Sequence, residues 1–221
     1  MEDFIHHLLY GIYPYIALAI LAIGSIIRFD REPYTWRSGS SQLLRRKQLM
    51  VGSVLFHVGV LFIFVGHLVG LLTPIALFDA LGISHGAKQL LAIVAGGIAG
   101  VAAIIGATLL IHRRFFDPRV RAASNFSDNM IILILWVQLA LGLATIPLSA
   151  GHLDGHEMVK FMNWAQGIFT FRSGAADQIR DAALVFKLHL FMGLTILLLF
   201  PFTRLVHMLS APLRYVFRSG Y

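Results

Sequence analysis

The sequence predicts an all-α membrane protein, a five-transmembrane-helix bundle with its N-terminus outside and its C-terminus in the cytoplasm. Three observations support this fold class: the composition, the recurrence of long apolar runs, and the placement of basic residues. Apolar residues make up 57% and charged residues 13% of the 221 positions, and the mean hydropathy is +0.76. A soluble domain is only about 45 to 50% apolar. We therefore predict one integral-membrane domain over residues 1–221.

Five apolar runs are each long enough to cross a bilayer. About 20 apolar helical residues span a hydrocarbon core that is roughly 30 Å thick. Lipid offers the backbone no hydrogen-bond partner, so each run is predicted to be a helix. The predicted spans cover about 4–27, 51–73, 89–111, 125–148 and 184–208.

The basic residues give the bundle its orientation. Twelve of them lie after the first span, after the third span and in the tail, and four lie on the opposite side. Cytoplasmic loops carry the excess of Lys and Arg, so the first set marks the inner face and explains the net charge without a nucleic-acid partner. The inner set is Arg28, Arg31, Arg37, Arg45, Arg46, Lys47, Arg113, Arg114, Arg119, Arg121, Arg214 and Arg218, and the outer set is Lys88, Lys160, Arg172 and Arg180.

Two further segments bear on packing. Gly96, Gly100 and Gly106 in the third span give a small-residue face that is typical of helix contacts in membranes. The segment 149–183 is the longest connection, and its stretch HEMVKFMNWAQGIF mixes apolar and polar residues. That mixture favours a helix lying in the interface, as a roof over the outer end of the bundle.

The absence of cysteine restricts the chemistry that the chain can support. Without cysteine there is no thiolate zinc site, iron–sulfur cluster, disulfide or covalent haem attachment. Any metal cofactor must therefore be held by histidine.

Four of the ten histidines lie inside predicted spans, His57 and His67 in the second and His189 and His207 in the fifth. An ionisable group within a membrane span is a functional hypothesis by default. The other six lie near span ends or in loops, where a hydrated or interfacial side chain is the expectation: His6, His7, His85, His112, His152 and His156.

The spacing of the four histidines predicts two pairs. In straight helices His57 and His67 are about 15 Å apart along the axis, and His189 and His207 about 27 Å apart on one line. The two spans run in opposite directions, so His57 meets His207 near the inner surface and His67 meets His189 near the outer one. The unequal spacings require tilted helices or obliquely set ligands.

Paired imidazoles at two depths predict two haem b groups. Neutral imidazole binds iron well, and two axial histidines leave iron no open position, so such a haem carries electrons. The alternatives are that these histidines form hydrogen bonds between helices or a proton path.

Nearby residues fit haem binding, each with an alternative. Arg204 precedes His207 by one turn and can pair with a haem propionate, although a snorkelling side chain explains it equally well. Gly59, Gly66 and Gly193 leave room for a flat macrocycle or serve as helix contacts.

Several motifs together resemble one family along essentially the whole chain. They are IYPYIA at 12–17, YTWR at 34–37, LFHVGVLFIFVGH at 55–67, LTP at 72–74, PRVRA at 118–122 and FPFTRLVH at 200–207. The sequence resembles the gamma subunit, a membrane dihaem cytochrome b, of respiratory nitrate reductase.

This resemblance implies a function in the prokaryotic cytoplasmic (inner) membrane. Quinol, menaquinol or ubiquinol, would be oxidised near the outer face. The electrons would pass through an outer haem held by His67 and His189 and an inner haem held by His57 and His207. Their destination would be an iron–sulfur beta subunit and a molybdenum-containing alpha subunit in the cytoplasm, where nitrate is reduced, so no catalytic residue for nitrate is assigned to this chain.

For the quinol site we favour Lys88 with Gly66 and His67, because a quinone oxygen needs a polar partner at that depth. Lys88 as an interfacial anchor is the alternative. Three other functions stay open: a haem b anchor for another quinone-linked dehydrogenase complex, a purely structural anchor, and a proton-conducting protein, which the absence of an inverted repeat disfavours.

Overall fold

The computed structural model describes residues 1–36 and 44–210. Five helices are long and apolar enough to cross a membrane, and no strand occurs in these two ranges, so the predicted class of all-α membrane bundle is confirmed. Three of the basic residues used for orientation, Arg37, Arg214 and Arg218, lie outside the described residues. The helices are α1 (Glu2–Arg31), α2 (Arg46–Leu72), α3 (Ile75–Ala80), α4 (His85–Phe116), α5 (Pro118–Ala122), α6 (Phe126–Ala150), α7 (His156–Phe169) and α8 (Leu184–Leu199). Short 3₁₀ segments cover Pro33–Thr35, Ala175–Ile179, Phe200–Phe202 and Arg204–Ser210.

Helix α1 widens into a π turn over Leu8–Ile12. Pro14 has no N–H and cannot donate to the carbonyl of Tyr10 four residues earlier. The indole Nε1 of Trp164 donates to that carbonyl instead, at 2.9 Å. The proline thereby creates an acceptor that ties α1 to α7.

Helices α2 and α4 approach most closely at glycines. A Cβ added to Gly106 would lie 2.4 Å from the backbone nitrogen of Phe56, and one added to Gly59 would lie 2.6 Å from the carbonyl oxygen of Ala99. Gly59 is therefore a helix contact. Gly100 likewise packs on Leu143 of α6, whereas a Cβ on Gly96 would meet nothing within 4 Å.

The spanning helices pack in the order α2, α4, α6, α8, α1. Within the described ranges α2 and α8 do not pack closely on each other: they are the first and the fourth helix of this order. The two histidine-bearing helices consequently face each other across a gap.

The stretch predicted to form an interfacial helix is helical, as α7, over the same 14 residues, His156–Phe169. It packs on α2, α4 and the 3₁₀ turn at Ala175–Ile179. Gln166 Nε2 donates to the carbonyls of Leu71 and Thr73 at 3.2 and 2.9 Å. Carbonyls at the end of a helix such as α2 have no hydrogen-bond partner within the helix, and Gln166 supplies one. The segment 156–179 thus covers one end of the bundle, the end that carries His67.

The prediction of one continuous helix over 184–208 is wrong. Helix α8 ends at Leu199 because Pro201 removes a donor and clashes with the preceding turn. Thr203 is extended, with φ −123° and ψ 176°, and a 3₁₀ segment then carries His207. Arg28 of α1 donates to the carbonyls of Pro201 and Thr203 at 2.7 and 2.8 Å, which holds the break in place.

Candidate functional site

The four span histidines form two facing pairs. The ring centroids of His57 and His207 are 6.2 Å apart, and those of His67 and His189 are 6.1 Å apart. Each pair joins α2 to the α8 side of the bundle, at opposite ends. These are the same partners that the antiparallel arrangement of the two spans predicts.

Backbone carbonyls orient three of the four imidazoles. Nδ1 of His57 lies 2.8 Å from the carbonyl of Ser53, Nδ1 of His67 lies 2.8 Å from that of Ile63, and Nδ1 of His207 bonds to that of Arg204. A carbonyl only accepts, so each Nδ1 carries the proton and each Nε2 keeps its lone pair. This is the tautomer in which histidine binds a metal through Nε2.

His189 is fixed differently, by packing against α6. A Cβ on Gly142 would lie 3.0 Å from Cε1 of the His189 ring, so the ring occupies the space over that glycine. Its Nδ1 is buried beside the main chain of Gln138, outside regular hydrogen-bond geometry. Helix α6 therefore forms the wall behind this ring.

The geometry of both pairs fits a metal ion between the two rings. Imidazole nitrogens at about 2 Å on opposite sides of one metal ion place the ring centroids about 6 Å apart, which is close to both observed values. No cluster of three or more His, Cys, Asp or Glu side chains with metal-binding geometry occurs in residues 1–36 and 44–210. The donor set is therefore two nitrogens per level, which suits a metal whose other ligands belong to a macrocycle.

Arg204 lies close to the pair formed by His57 and His207, since its carbonyl accepts the hydrogen bond from Nδ1 of His207. Its Nε is 3.2 Å from Oδ1 of Asp128 at the start of α6. The Nη1 atom of Arg114 at the end of α4 is 3.8 Å from the other oxygen of the same carboxylate. Two guanidinium groups thus surround one aspartate near this histidine pair.

Lys88 lies in the first turn of α4, at the end of the bundle that carries His67. Gly59 of α2 lies against Ala99 of α4, and Gly106 of α4 lies against Phe56 of α2. Extending this antiparallel alignment along both helices places Lys88 level with Leu72, roughly 7 Å beyond His67 along the axis. Lys88 is only 8% exposed. Its Nζ lies 3.7 Å from the centre of the Phe78 ring and 2.9 Å from the sulfur of Met162.

The three predicted quinol-site residues therefore share one end of the bundle, with Lys88 roughly 7 Å further along the axis than His67. A Cβ on Gly66 would meet nothing within 4 Å, so the surface next to His67 is open. Gly193 differs, because a Cβ there would lie 3.3 Å from the side-chain nitrogen of Gln138.

Sequence reasoning missed the contributions of α6. Gln138, Gly142 and Asp128 all belong to this helix, and each lies next to a histidine of α8 or next to Arg204. An amide at position 138 and an acid at 128, both within the predicted fourth span, were available as signals. Neither signal shows which histidine it accompanies without the packing order of the helices.

Comparisons with known proteins agree along the whole chain. The family model described as nitrate reductase gamma subunit matches residues 6–221. The respiratory nitrate reductase 1 gamma chain of Escherichia coli strain K12 is 48% identical over 98% of this chain and 96% of its own length. The respiratory nitrate reductase 2 gamma chain of the same strain is 49% identical, covering 99% and 96%. The nitrate reductase gamma chain of Bacillus subtilis strain 168 is 39% identical, covering 96% and 95%.

Proposed function

The chain belongs to the family of nitrate reductase gamma subunits, as a membrane electron-transfer subunit, and on that premise we propose that it oxidises quinol and feeds the electrons to a cytoplasmic nitrate-reducing site. Two b haems would carry the electrons, one between His67 and His189 near the outer surface and one between His57 and His207 near the inner surface. The N-terminus would lie outside the prokaryotic cytoplasmic membrane and the C-terminus inside.

The observation that carries the proposal is the pair of facing imidazoles at each level. Both centroid separations are close to 6 Å, and the two helices behind them leave a gap. Hydrogen-bonded helix contacts would instead bring α2 and α8 together, with each Nε2 bonded to a protein acceptor. Haem, when bound, supplies a one-electron carrier with no open iron position.

The chain's own residues would hold each site in a fixed state. Carbonyls of Ser53, Ile63 and Arg204 keep the Nδ1 protons in place, so the facing nitrogens stay basic. Gly142 leaves space for the fourth ring. Little reorganisation is then needed at either level when an electron arrives or leaves.

Lys88 would bind a quinol oxygen under the roof formed by α7. Its present neighbours are an aromatic face and a thioether, both weaker acceptors than an oxygen. A buried ammonium gains most from an oxygen ligand, since charge-assisted bonds are roughly twice as strong as neutral ones. Quinol would lose two electrons and two protons there to give quinone, with the protons released to the outer side.

Two haems at different depths in the membrane would allow the protein to conserve energy. Electrons moving inward while protons stay outside transfer charge across the membrane, and each elementary charge moved against 100 mV stores about 2.3 kcal/mol. The separation of the two histidine levels is thus the physical basis of coupling.

Other nitrate reductase subunits are partners of the chain, and we propose that they are an iron–sulfur beta subunit and a molybdenum-containing alpha subunit. A chain without cysteine cannot hold an iron–sulfur cluster itself. The exposed basic residues Arg45, Arg46 and Arg119 would give these subunits a cationic docking face.

The test is to purify the chain with its co-expressed partners and to measure haem, molybdenum and quinol-driven nitrate reduction. We expect two b haems per chain, a low-spin spectrum at both levels, and molybdenum in the same complex. Haem without molybdenum would point to a different quinone-linked partner. Fully assembled protein without haem would overturn the proposal.

A further inference from the structure

A histidine and an aspartate lie beside Lys88. His85 begins α4, one helical turn before Lys88, and Nε2 of its ring lies 3.6 Å from Oδ1 of Asp79 in α3. The preceding residue of α3, Phe78, presents its ring to Nζ of Lys88 at 3.7 Å. Residues three apart on a helix have Cβ atoms about 5 to 6 Å from each other. One ligand oxygen can therefore contact the side chains of both His85 and Lys88.

The connection 149–155 holds the first turn of α4 in place. A Cβ added to Gly86 would lie 2.7 Å from the carbonyl oxygen of Leu153, and one added to Gly155 would lie 2.5 Å from the Cβ of His85. Gly155 also has a φ of +84°, which favours glycine. These close backbone contacts fix the main chain that carries His85, which limits where its ring can lie.

The two nitrogens of the His85 ring differ in their surroundings. Nε2 faces the carboxylate of Asp79, which only accepts hydrogen bonds, so the proton of the neutral ring belongs on Nε2. Nδ1 then carries a lone pair, and it is buried with no hydrogen-bond partner among the described residues. Leaving a buried acceptor unpaired is costly unless a ligand uses it. The side chain of Asp79 is 57% exposed, so the ring lies between a buried acceptor and a solvated carboxylate.

The charged groups around this ring come from three segments. Asp79 belongs to α3 and Lys88 to α4, while the connection packed against His85 carries Asp154 and His152, whose side chains bond to nearby main chain. At 3.6 Å a neutral ring makes no hydrogen bond to the carboxylate of Asp79. A protonated ring forms an ion pair at that distance. The pair therefore exists only after the ring has taken up a proton.

We propose that His85 is the general base of quinol oxidation, taking the proton of the quinol oxygen that Lys88 binds. This inference rests on the proposed function and assigns one of its steps. Histidine suits that role because it gains and loses a proton near neutral pH.

The step is a single proton transfer. The quinol O–H bond breaks, its electron pair stays on the oxygen, and an N–H bond forms at Nδ1 of His85. The ammonium of Lys88 stabilises the oxygen anion that results. The imidazolium then loses the proton on Nε2 to water beside Asp79, on the outer side. The two electrons of the quinol go to the outer haem as proposed above, and His85 does not handle the proton of the far quinol oxygen.

The test is the rate at which a soluble quinol reduces haem in the whole complex, measured by stopped flow without nitrate. His85→Gln keeps a polar side chain but has no basic nitrogen. General-base catalysis contributes about 10²-fold or more, so haem reduction should be about 100-fold slower at neutral pH, with both haems bound. The deficit should shrink as the pH rises, because hydroxide can take the proton instead. The inhibition constant of the quinone product, which has no proton to give, should not change.

Two further variants sharpen the test. His156→Gln changes an exposed histidine at the start of α7, at the same end of the bundle, and as the matched control it should reduce haem at the wild-type rate. Asp79→Asn alters an exposed side chain and should slow haem reduction several-fold by itself. It should add nothing in the His85→Gln background, since both residues act on the same proton.

Three results would overturn the inference: a wild-type rate in His85→Gln, a deficit of equal size at every pH, or a loss explained by weaker quinone binding. If His85→Gln fails to assemble, Asp79→Asn decides, and an unchanged rate there has the same consequence. Slow haem reduction in Lys88→Ala with a wild-type rate in His85→Gln would overturn this inference alone. A wild-type complex that lacks haem would instead overturn the proposed function.

Discussion

The imidazole of His57 faces that of His207 at a centroid distance of 6.2 Å, although α2 and α8 do not pack closely on one another. In a straight fifth helix, His207 would lie about 27 Å from His189 along the axis. The histidines that these two face, His57 and His67, lie only about 15 Å apart along α2. The break at Pro201 removes this mismatch, because the extended Thr203 redirects the chain before the segment that carries His207. Both pairs consequently have nearly the same separation.

Replacing His67 or His189 with alanine should remove one haem per chain and stop quinol-driven nitrate reduction. The reason is that each variant leaves a single imidazole at the outer level. An artificial donor that reduces the soluble partners directly should still support nitrate reduction. Haem content and the two activities are the measurements. His152→Ala, at the same end but outside both pairs, is the control, and quinol activity that survives in His67→Ala would disprove the route.

Lys88→Ala should impair quinol oxidation with both haems retained. Loss of a charge-assisted hydrogen bond costs about 1.5 to 3 kcal/mol, which corresponds to at least a tenfold fall in kcat/KM for quinol. Steady-state kinetics with a soluble quinol and a haem spectrum are the measurements. Lys47→Ala serves as control, because that lysine is exposed at the start of α2, at the opposite end of the bundle. Normal kinetics in Lys88→Ala would exclude Lys88 from the site.

Much of the fold was predictable because each signal was local. Length and hydropathy give the spans, and the amphipathic stretch at 156–169 gives the roof helix. The pairing of histidines also followed, since it needs the alternation of helix direction and four positions. The pairing also assumed that the second and fifth spans lie side by side, whereas these two helices do not pack closely and only their histidine rings meet.

The remainder depends on tertiary packing, which a single sequence does not display. Pro201 was visible, yet the redirection at Thr203 depends on Arg28 from the first helix donating to the two carbonyls there. The same holds for Gly142, whose role appears only when α6 lies against His189. Gly59 and Gly66 looked alike in the sequence, but only Gly59 has a neighbouring backbone within contact distance.

Gly142→Ala should weaken the outer haem site. The added Cβ would lie 3.0 Å from Cε1 of His189, so the ring must move. Overpacking of this kind costs about 1 to 3 kcal/mol, and it should appear as lower haem content or an altered low-spin spectrum at the outer level. Gly96→Ala adds the same methyl group where nothing lies within 4 Å and is the control. An unchanged outer haem in Gly142→Ala would mean that the ring is not held by this contact.

The segment 175–182, which borders the roof helix α7, should become less stable in acid. The hydrogen bond from Arg180 lowers the pKa of Asp177 below its ordinary 3.8, and the one from Lys160 lowers that of Asp181 likewise. A lowered carboxyl pKa gives stability that is present above the unfolded value and lost as pH falls through the folded value. Amide hydrogen exchange in 175–182, corrected for intrinsic rates, should therefore accelerate below about pH 4, with Asp181→Asn already faster at neutral pH. Equal exchange in the wild type and in Asp181→Asn at neutral pH would show that the ion pair between Lys160 and Asp181 does not stabilise this segment.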